Sequence, residues 1–170
     1  MVLGTRRLLW LVVLLQVAVL LVFVAAKEYT LRDGEEIVLA TVPMDPRDLF
    51  RGDYVVLRYE VSELSAVAVR FAPGDTVYVR LVESGGVWRQ GGATKDPPPA
   101  EATFLRGRVV RELQPGAVVP KVEVEYGIES YFVPEGVGRK IEQQRGRMRV
   151  KVAVDRSGSA IVKELLLDGP

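Results

Sequence analysis

Charged and aromatic side chains crowd the segment from residue 45 to residue 54, where they could form a recognition surface. Three aspartates supply carboxylates, and two arginines lie among them. The segment fits either a self-satisfied network of ion pairs and turn caps or a loop that binds a partner through its charges. A calcium site is disfavoured by the two arginines and by a spacing unlike that of an EF-hand, so we predict no metal. The candidate binding residues are Asp45, Arg47, Asp48, Arg51, Asp53 and Tyr54.

A second group of tyrosines and glutamates follows residue 125. Tyr126, Glu129, Tyr131 and Glu135 complete the candidate surface. Two carboxylates beside tyrosines could line a pocket, but an acid and base pair of the glycosidase type requires a defined separation that spacing along the chain does not set. Glu135 also fits a plain helix start after Pro134, since carboxylates are favoured near helix N-termini. We therefore assign no catalytic residue.

The chain contains no cysteine and no histidine, which excludes several kinds of chemistry. It can form no disulfide, no thiolate nucleophile, no Ser-His-Asp triad and none of the usual zinc sites. We expect no cofactor, and the composition favours a non-catalytic protein. Basic and acidic residues number 23 and 22, and this near balance gives no electrostatic reason to expect nucleic acid as a partner.

Residues 8–26 form an uncharged run, LLWLVVLLQVAVLLVFVAA, that predicts a transmembrane helix. At about 1.5 Å per residue the run approaches the roughly 30 Å thickness of a bilayer's hydrocarbon core. Arg6 and Arg7 precede it, so the positive-inside rule places residues 1–7 in the cytoplasm and residues 27–170 outside it, in the periplasm or on the outer face. The alternatives are a cleaved signal peptide and a buried core helix, and the run is long for the first and apolar on every side for the second.

Residues 27–170 are expected to fold as one mainly β domain, either a small antiparallel barrel or a sandwich with one short helix. Apolar residues alternate with polar ones in several runs, as in strands that bury one face. The inward-facing residues of these runs are Val55, Leu57, Tyr59 and Val61; Val77, Val79 and Leu81; Val122, Val124, Tyr126 and Ile128; and Met148, Val150, Val152 and Val154.

Turn and loop signals separate these runs. Residues 72–75, 83–86, 114–116 and 155–159 contain the glycine, proline, serine and aspartate combinations typical of turns. The Gly- and Pro-rich segment 90–101 predicts a mobile loop. Segment 134–145 predicts the short helix, which its glycines weaken. Segment 62–71 fits either a short helix or a strand.

Gly52-Asp53-Tyr54-Val55-Val56-Leu57-Arg58-Tyr59 matches the motif GDYxxLxY at every defined position. The chain resembles the bacterial family named after that motif. Asp-Pro-Arg-Asp-Leu-Phe-Arg before the motif, residues 126–136 and the closing Asp168-Gly169 are also typical of the family. The resemblance covers nearly the whole predicted domain and implies a single N-terminal membrane helix, often encoded beside multi-pass membrane proteins.

A weaker resemblance links two other segments to type I signal peptidases. Arg51-Gly-Asp-Tyr-Val-Val and Pro73-Gly-Asp-Thr-Val are similar to the RGDxVV and PGDxV segments of those anchored β-domain enzymes, which use a serine and a lysine. Met44 stands where the resemblance would place the nucleophilic serine, and Lys95 lies in the predicted loop. The resemblance therefore implies a shared architecture more readily than activity.

These observations favour a tethered interaction or assembly module whose partners are the bilayer, through residues 8–26, and a membrane or envelope protein. A Ser/Lys hydrolase is one alternative. A ligand-binding barrel is the other, since Tyr54, Tyr78, Trp88 and Tyr131 could line an aromatic pocket, although aromatic residues in strands more often belong to the core.

Overall fold

A long N-terminal helix leads into a curled β-sheet in the computed structural model, which describes residues 2–42, 50–51, 54–65, 69–114, 117, 119–132 and 148–166. Helix α1 spans Val2–Asp33, and a 3₁₀ turn spans Glu60–Ser62. The strands are β1 (Glu35–Ala40), β2 (Phe50–Arg51), β3 (Tyr54–Val56), β4 (Glu63–Ser65), β5 (Thr76–Ser84), β6 (Val87–Thr94), β7 (Phe104–Glu112), β8 (Lys121–Glu125), β9 (Ser130–Phe132), β10 (Arg149–Val154) and β11 (Ala160–Leu166).

Helix α1 is long and apolar enough to cross a membrane, and none of the residues in its apolar stretch is buried in the described structure. The helix continues to Asp33, beyond the apolar run that ends at Ala26. Glu28 and Arg32 support this extension with an ion pair of 2.6 Å between Oε1 and Nε, one helical turn apart. The helix thus carries the chain out of its apolar segment and directly into β1.

Eight strands form one strongly curled sheet, a half-barrel, in the order β11-β10-β1-β6-β5-β7-β8-β4. Neighbouring strands are antiparallel except β1 and β6, which meet in parallel where Leu39 lies opposite Trp88. A second sheet has the order β2-β3-β9. The prediction of a mainly β fold behind an apolar helix is confirmed, while the predicted helix 134–145 and the turn at Pro115-Gly116 lie outside the described residues.

The core fills the concave side of the half-barrel. Alternate residues are buried along strands such as β5 and β8, as the period of two requires, and nearly all predicted inward positions are buried. Val55 is the exception, because its side chain is not among those described. The buried residues of the predicted runs are Leu57, Tyr59, Val61, Val77, Val79, Leu81, Val122, Val124, Tyr126, Ile128, Met148, Val150, Val152 and Val154.

Three element boundaries differ from the sequence-based expectation. Residues 55–61 do not form one strand, since β3 ends at Val56 and the chain turns through the 3₁₀ segment. Strand β8 ends at Glu125, although Tyr126 and Ile128 remain buried beyond it. The loop predicted from Gln90 is wrong over residues 90–94, which continue β6 because pairing with β5 outweighs the poor strand propensity of glycine.

The predicted turns at 72–75, 83–86 and 155–159 are confirmed. Gly85 and Gly86 close the β5–β6 hairpin in a two-residue turn. Their φ values of 63° and 76° are both positive, a backbone conformation that favours glycine. Asp155 closes the β10–β11 hairpin by accepting hydrogen bonds from the backbone of Ser157 and Ser159. Segment 62–71 contributes strand β4.

Candidate functional site

Two buried tyrosines bond residues 54–61, which carry most of the motif, to segment 126–132. We call Tyr59, Tyr126 and Glu129 the tyrosine lock. The hydroxyl of Tyr59 donates to the carbonyl of Ile128 at 2.7 Å, and the hydroxyl of Tyr126 donates to the carbonyl of Val61 at 2.6 Å. Each segment therefore contributes one phenol that reaches the other segment's backbone. The exposed fractions are 0% for Tyr59 and 8% for Tyr126, so both bonds lie inside the protein.

Glu129 organises the turn between β8 and β9. Its carboxylate accepts hydrogen bonds from the backbone nitrogen of Tyr126 at 2.6 Å and of Gly127 at 2.8 Å. Gly127 has a φ of 81°, which favours glycine, so the turn needs both this residue and the carboxylate cap. The carbonyl of Glu129 also accepts from the backbone nitrogen of Leu57 at 2.7 Å. This turn is thus bonded directly to the motif.

Burial raises the pKa of both tyrosine hydroxyls, and the nearby charge of Glu129 raises each pKa further. A phenol with a raised pKa stays protonated and keeps its hydrogen to donate. Tyr59 and Tyr126 therefore act as permanent donors to backbone carbonyls. They are not suited to act as a general base near neutral pH.

The end of α1 is fixed to the β10–β11 hairpin by Thr30. Its hydroxyl lies 2.8 Å from Oδ2 of Asp155 and 3.2 Å from the carbonyl of Ala26, and the Thr30 residue is only 4% exposed. Gly34 follows with its backbone nitrogen bonded to the Thr30 carbonyl at 3.0 Å. A side chain at Gly34 would strike that carbonyl and the backbone of Val154, so the close approach of helix and strand requires glycine.

Burial by itself would raise the pKa of Asp155, but hydrogen bonds from Ser157, Thr30 and Ser159 outweigh this effect and hold the pKa below its ordinary value. The carboxylate is therefore ionised when it holds the helix. The same ionised group caps its own hairpin and accepts from Thr30, so helix orientation and hairpin geometry depend on one side chain.

A groove of about 600 Å³ lies between the C-terminal part of α1 and the strands beside it. We call it the interface groove. One wall comes from the helix, and the other comes from the β8–β9 turn, β9 and β11. Its lining residues are Phe23, Val24, Lys27, Glu28, Leu31, Gly127, Ile128, Ser130, Tyr131, Ala160, Ile161 and Val162.

The tyrosine lock and the interface groove share the β8–β9 turn. Ile128 accepts the Tyr59 hydrogen bond with its backbone, and it also lines the groove. Tyr131 lines the groove from β9, where it is paired with Val55 of the motif strand. Among the described residues, those of the motif do not line the groove, but they are bonded to the wall that faces the helix.

Three arginines lie on the outer face of the sheet. Arg80 of β5 and Arg106 and Arg108 of β7 are exposed and alternate with buried residues. Arg106 donates to the Ser159 hydroxyl at 3.1 Å and Arg108 to the Gly74 carbonyl at 3.4 Å. None of the three forms an ion pair with a carboxylate of the described residues. We call these three residues the arginine strip.

Exposed valines lie at both ends of the arginine strip. Strands β5 and β7 are antiparallel, with Thr76 opposite Arg108 and Arg80 opposite Phe104. Val82 therefore follows at one end and Val110 at the other, and they are 54% and 42% exposed. Arginine is enriched at protein interfaces, and the two valines add exposed apolar area beside the strip.

Lys95 is held in an ion pair. Its Nζ lies 2.7 Å from Oδ2 of Asp75 and 5.8 Å from the centre of the Phe71 ring. Asp75 also caps the turn before β5 by accepting from the backbone nitrogen of Ala72 at 3.0 Å. The Pro-Gly-Asp segment that resembles a signal peptidase thus begins a strand, and Lys95 is not placed as a neutral base for a serine.

The predicted site residues divide into four groups. Tyr126 and Glu129 belong to the tyrosine lock, and Tyr131 lines the interface groove. Arg51 and Tyr54 lie in β2 and β3, but their side chains are outside the described part. The remaining predicted residues, Asp45, Arg47, Asp48, Asp53 and Glu135, lie outside the described residues.

The aromatic pocket weighed for a ligand-binding barrel is not assembled by the described rings. Tyr78 lies at the outer face, where its ring meets Phe104 edge-on with centroids 5.8 Å apart. Trp88 and Tyr131 instead pack against the core. Within the described ranges, no group of three acidic, histidine or cysteine side chains is placed to hold a metal.

Sequence reasoning missed the helix joint and the arginine strip. The joint pairs residues far apart in the chain, Thr30 and Asp155, and neither carries a local signal. The strip had a signal, because Arg106 and Arg108 occupy alternate positions in the run FLRGRVVRE and must share a face of a strand.

Comparison with known proteins identifies the family of the chain. No curated protein and no solved structure was found to match it. Residues 16–165 match the family described as "GDYXXLXY protein", and this range includes the C-terminal half of α1 and both β-sheets. This match covers most of the chain. The protein therefore belongs to the GDYXXLXY family.

Proposed function

We propose that this protein is a membrane-anchored interaction module that holds its β-domain at a set orientation beside the bilayer, outside the cytoplasm, for assembly with another membrane or envelope protein. The observation that carries the proposal is the joint between α1 and β10. A helix able to span a membrane runs into the domain through the Thr30–Asp155 bond and the close approach at Gly34, with no flexible linker.

A fixed orientation matters for an assembly module. Tethering raises the effective concentration of a domain near a membrane partner, and a rigid joint avoids the entropy lost when a mobile domain is ordered on binding. An enzyme acting on a diffusing substrate has less need of such a joint. The absence of histidine and cysteine from the sequence supports the same conclusion.

The arginine strip is the surface we assign to the partner. Its guanidinium groups have no carboxylate partner among the described residues, and Val82 and Val110 add apolar area. A protein with an acidic patch complements this surface. The charged segment from Asp45 to Tyr54 stays a second candidate surface, predicted from sequence.

The test is crosslinking of the full-length protein in intact membranes, followed by purification and identification of the captured protein. Charge reversal of the arginine strip (R80E, R106E and R108E together) should reduce capture at least tenfold, because it replaces three attractive charges by repulsive ones. The matched control reverses Arg70, Lys121 and Arg156, which changes the net charge equally at positions outside the strip. Equal capture by both triple variants would remove the strip from the proposal.

Two further variants separate the candidate surfaces and the proposal itself. Reversing the charges of Arg47 and Arg51 tests the charged segment. If only this variant loses capture, the partner binds that segment and not the arginine strip. Recovery of the wild-type protein without any partner, together with turnover of a substrate by the purified protein, would overturn the assembly function.

A further inference from the structure

The interface groove extends to the depth of the bilayer. Phe23 and Val24 of its helix wall belong to the uncharged run 8–26, and they are 66% and 65% exposed. Lys27 is the first charged residue beyond that run. If the run fills the hydrocarbon core, as the proposed anchoring requires, then the inner end of the groove opens among acyl chains and Lys27 lies at the headgroups.

The groove combines an apolar lining with one cation. Leu31, Ile128, Ala160, Ile161 and Val162 make its walls largely apolar. Lys27 contributes a cation that has no carboxylate partner among the described residues, whereas Glu28 is already paired with Arg32. Its volume lies within the range of about 300–1,000 Å³ usual for ligand sites. An apolar cleft with a cation in its lining suits a ligand with a hydrocarbon chain and an anionic group.

We propose that the interface groove binds an anionic phospholipid, with an acyl chain against Ile128 and Val162 and the phosphate group beside Lys27. The inference rests on the proposed membrane anchoring and adds a ligand to it. A bilayer lipid is the occupant that the position favours, because a water-soluble partner would have to enter hydrocarbon to reach Phe23 and Val24. The bound lipid would fill the space between helix and domain and support the Thr30–Asp155 joint.

The experiment reconstitutes the full-length protein into phosphatidylcholine vesicles with a minor share of phosphatidylglycerol that carries a photoactivatable group in its acyl chain. After illumination, mass spectrometry of peptides locates the crosslinks. We expect crosslinks at residues 127–131 and 160–162 of the domain as well as on the helix. Crosslinks confined to the helix would overturn the proposal, because any lipid around a membrane helix would produce them.

Two variants and two matched controls measure the site. Lys27→Gln should lower domain labelling about fivefold, since one basic residue near an anionic membrane surface corresponds to about 1 kcal/mol. Ser130→Trp should lower it further, because an exposed groove position then carries an indole. The controls, Lys121→Gln and Ser84→Trp, make the same replacements away from the groove and should label as the wild type does. Unchanged labelling of both groove variants would refute the site.

Two further comparisons test the headgroup preference of the groove and whether protein, instead of lipid, occupies it. The same photoactivatable group on phosphatidylcholine should label the domain several times more weakly, and equal labelling would refute the anionic preference. If proximity crosslinking instead shows residues 133–147 or a second protein helix in the groove, the lipid proposal fails. Flotation of the vesicles checks anchoring separately: a protein that does not float defeats the proposed function, whereas one that floats without domain labelling defeats only the lipid site.

Discussion

Tyr59, the last residue of the family motif, acts through its position inside the protein. Its ring is fully buried and its hydroxyl bonds to Ile128, while Tyr126 returns the same kind of bond to Val61. Each phenol satisfies a buried carbonyl, which would otherwise be costly to leave unpaired. Tyr59 therefore helps to join two segments that are distant in the chain, residues 54–61 and 126–132. The second of these segments lines the interface groove.

Removing either hydroxyl should destabilise the domain. Tyr59→Phe and Tyr126→Phe are each expected to lower the free energy of unfolding by about 1–2 kcal/mol, because each leaves a buried carbonyl without its donor. Urea unfolding of the full-length protein in detergent, followed by the fluorescence of Trp88 against that of Trp10, measures the change. Tyr78→Phe is the control, since the Tyr78 hydroxyl has no hydrogen bond to the described residues. Equal stability of all three variants would contradict the fastening role.

At the scale of elements, the contact between α1 and the β10–β11 hairpin sets how the domain stands relative to its helix. The contact depends on the Thr30–Asp155 bond and on Gly34, where a side chain would strike the backbone of Val154. Thr30→Val keeps the shape of the side chain and removes the hydroxyl. This substitution isolates the hydrogen bond from the packing.

We expect Thr30→Val to lower the free energy of unfolding by about 1 kcal/mol, the usual net worth of a hydrogen bond. It should also make the helix more mobile relative to the domain, as measured by the distance distribution between spin labels at Ala18 and Ser84. Thr76→Val is the control, at an exposed strand position, and should change stability by less than about 0.5 kcal/mol. An unchanged distance distribution in Thr30→Val would show that packing alone orients the helix.

Acid should weaken the domain through two carboxylates with lowered pKa values. Burial opposes the lowering at Glu123, but hydrogen bonds from Arg58 and Arg111 outweigh it, and Asp155 is lowered as described above. A carboxyl whose pKa is lower in the folded state stabilises the protein above its ordinary pKa and loses that contribution as pH falls through the folded value. The urea midpoint should therefore fall below about pH 4.5, and Thr30→Val should reduce the loss due to Asp155. An acid response that Thr30→Val does not alter would show that this bond does not set the pKa.

At the scale of the whole molecule, one apolar helix and one curled sheet give the protein an apolar end and a polar end. Helix α1 buries none of its apolar stretch in the described structure, and the stretch is long and apolar enough to cross a membrane. The groove lies between these two ends and the arginine strip lies on the sheet. The orientation of the chain across the membrane decides which compartment can supply a partner.

Because the chain has no native cysteine, single cysteines can report this orientation directly. We expect Ser84→Cys, at the exposed β5–β6 hairpin, to react with a membrane-impermeant maleimide in intact cells. Thr5→Cys, beside the arginines that the positive-inside rule places in the cytoplasm, should react only after lysis. Labelling of Thr5→Cys and protection of Ser84→Cys in intact cells would reverse the orientation and remove an extracytoplasmic partner from consideration.

The sequence by itself determined the apolar helix, the mainly β class, the inward-facing residues and the family. These follow from local composition and from a period of two, which any folded arrangement of such strands must respect. Val77, Val79 and Leu81 were therefore predictable as core. The ends of strands were harder to predict. Residues 90–94 have a composition typical of loops and form a strand because β5 pairs with them.

Only the tertiary structure decided how the candidate site is built. Thr30 and Asp155, and likewise Tyr59 and Ile128, are far apart in the chain, and nothing local to either residue specifies its partner. The same limit applies to the groove, whose two walls come from the helix and from β9 and β11. Long-range contacts depend on how the sheet curls. For this reason the apolar helix could be predicted from the sequence, whereas the interface groove beside it could not.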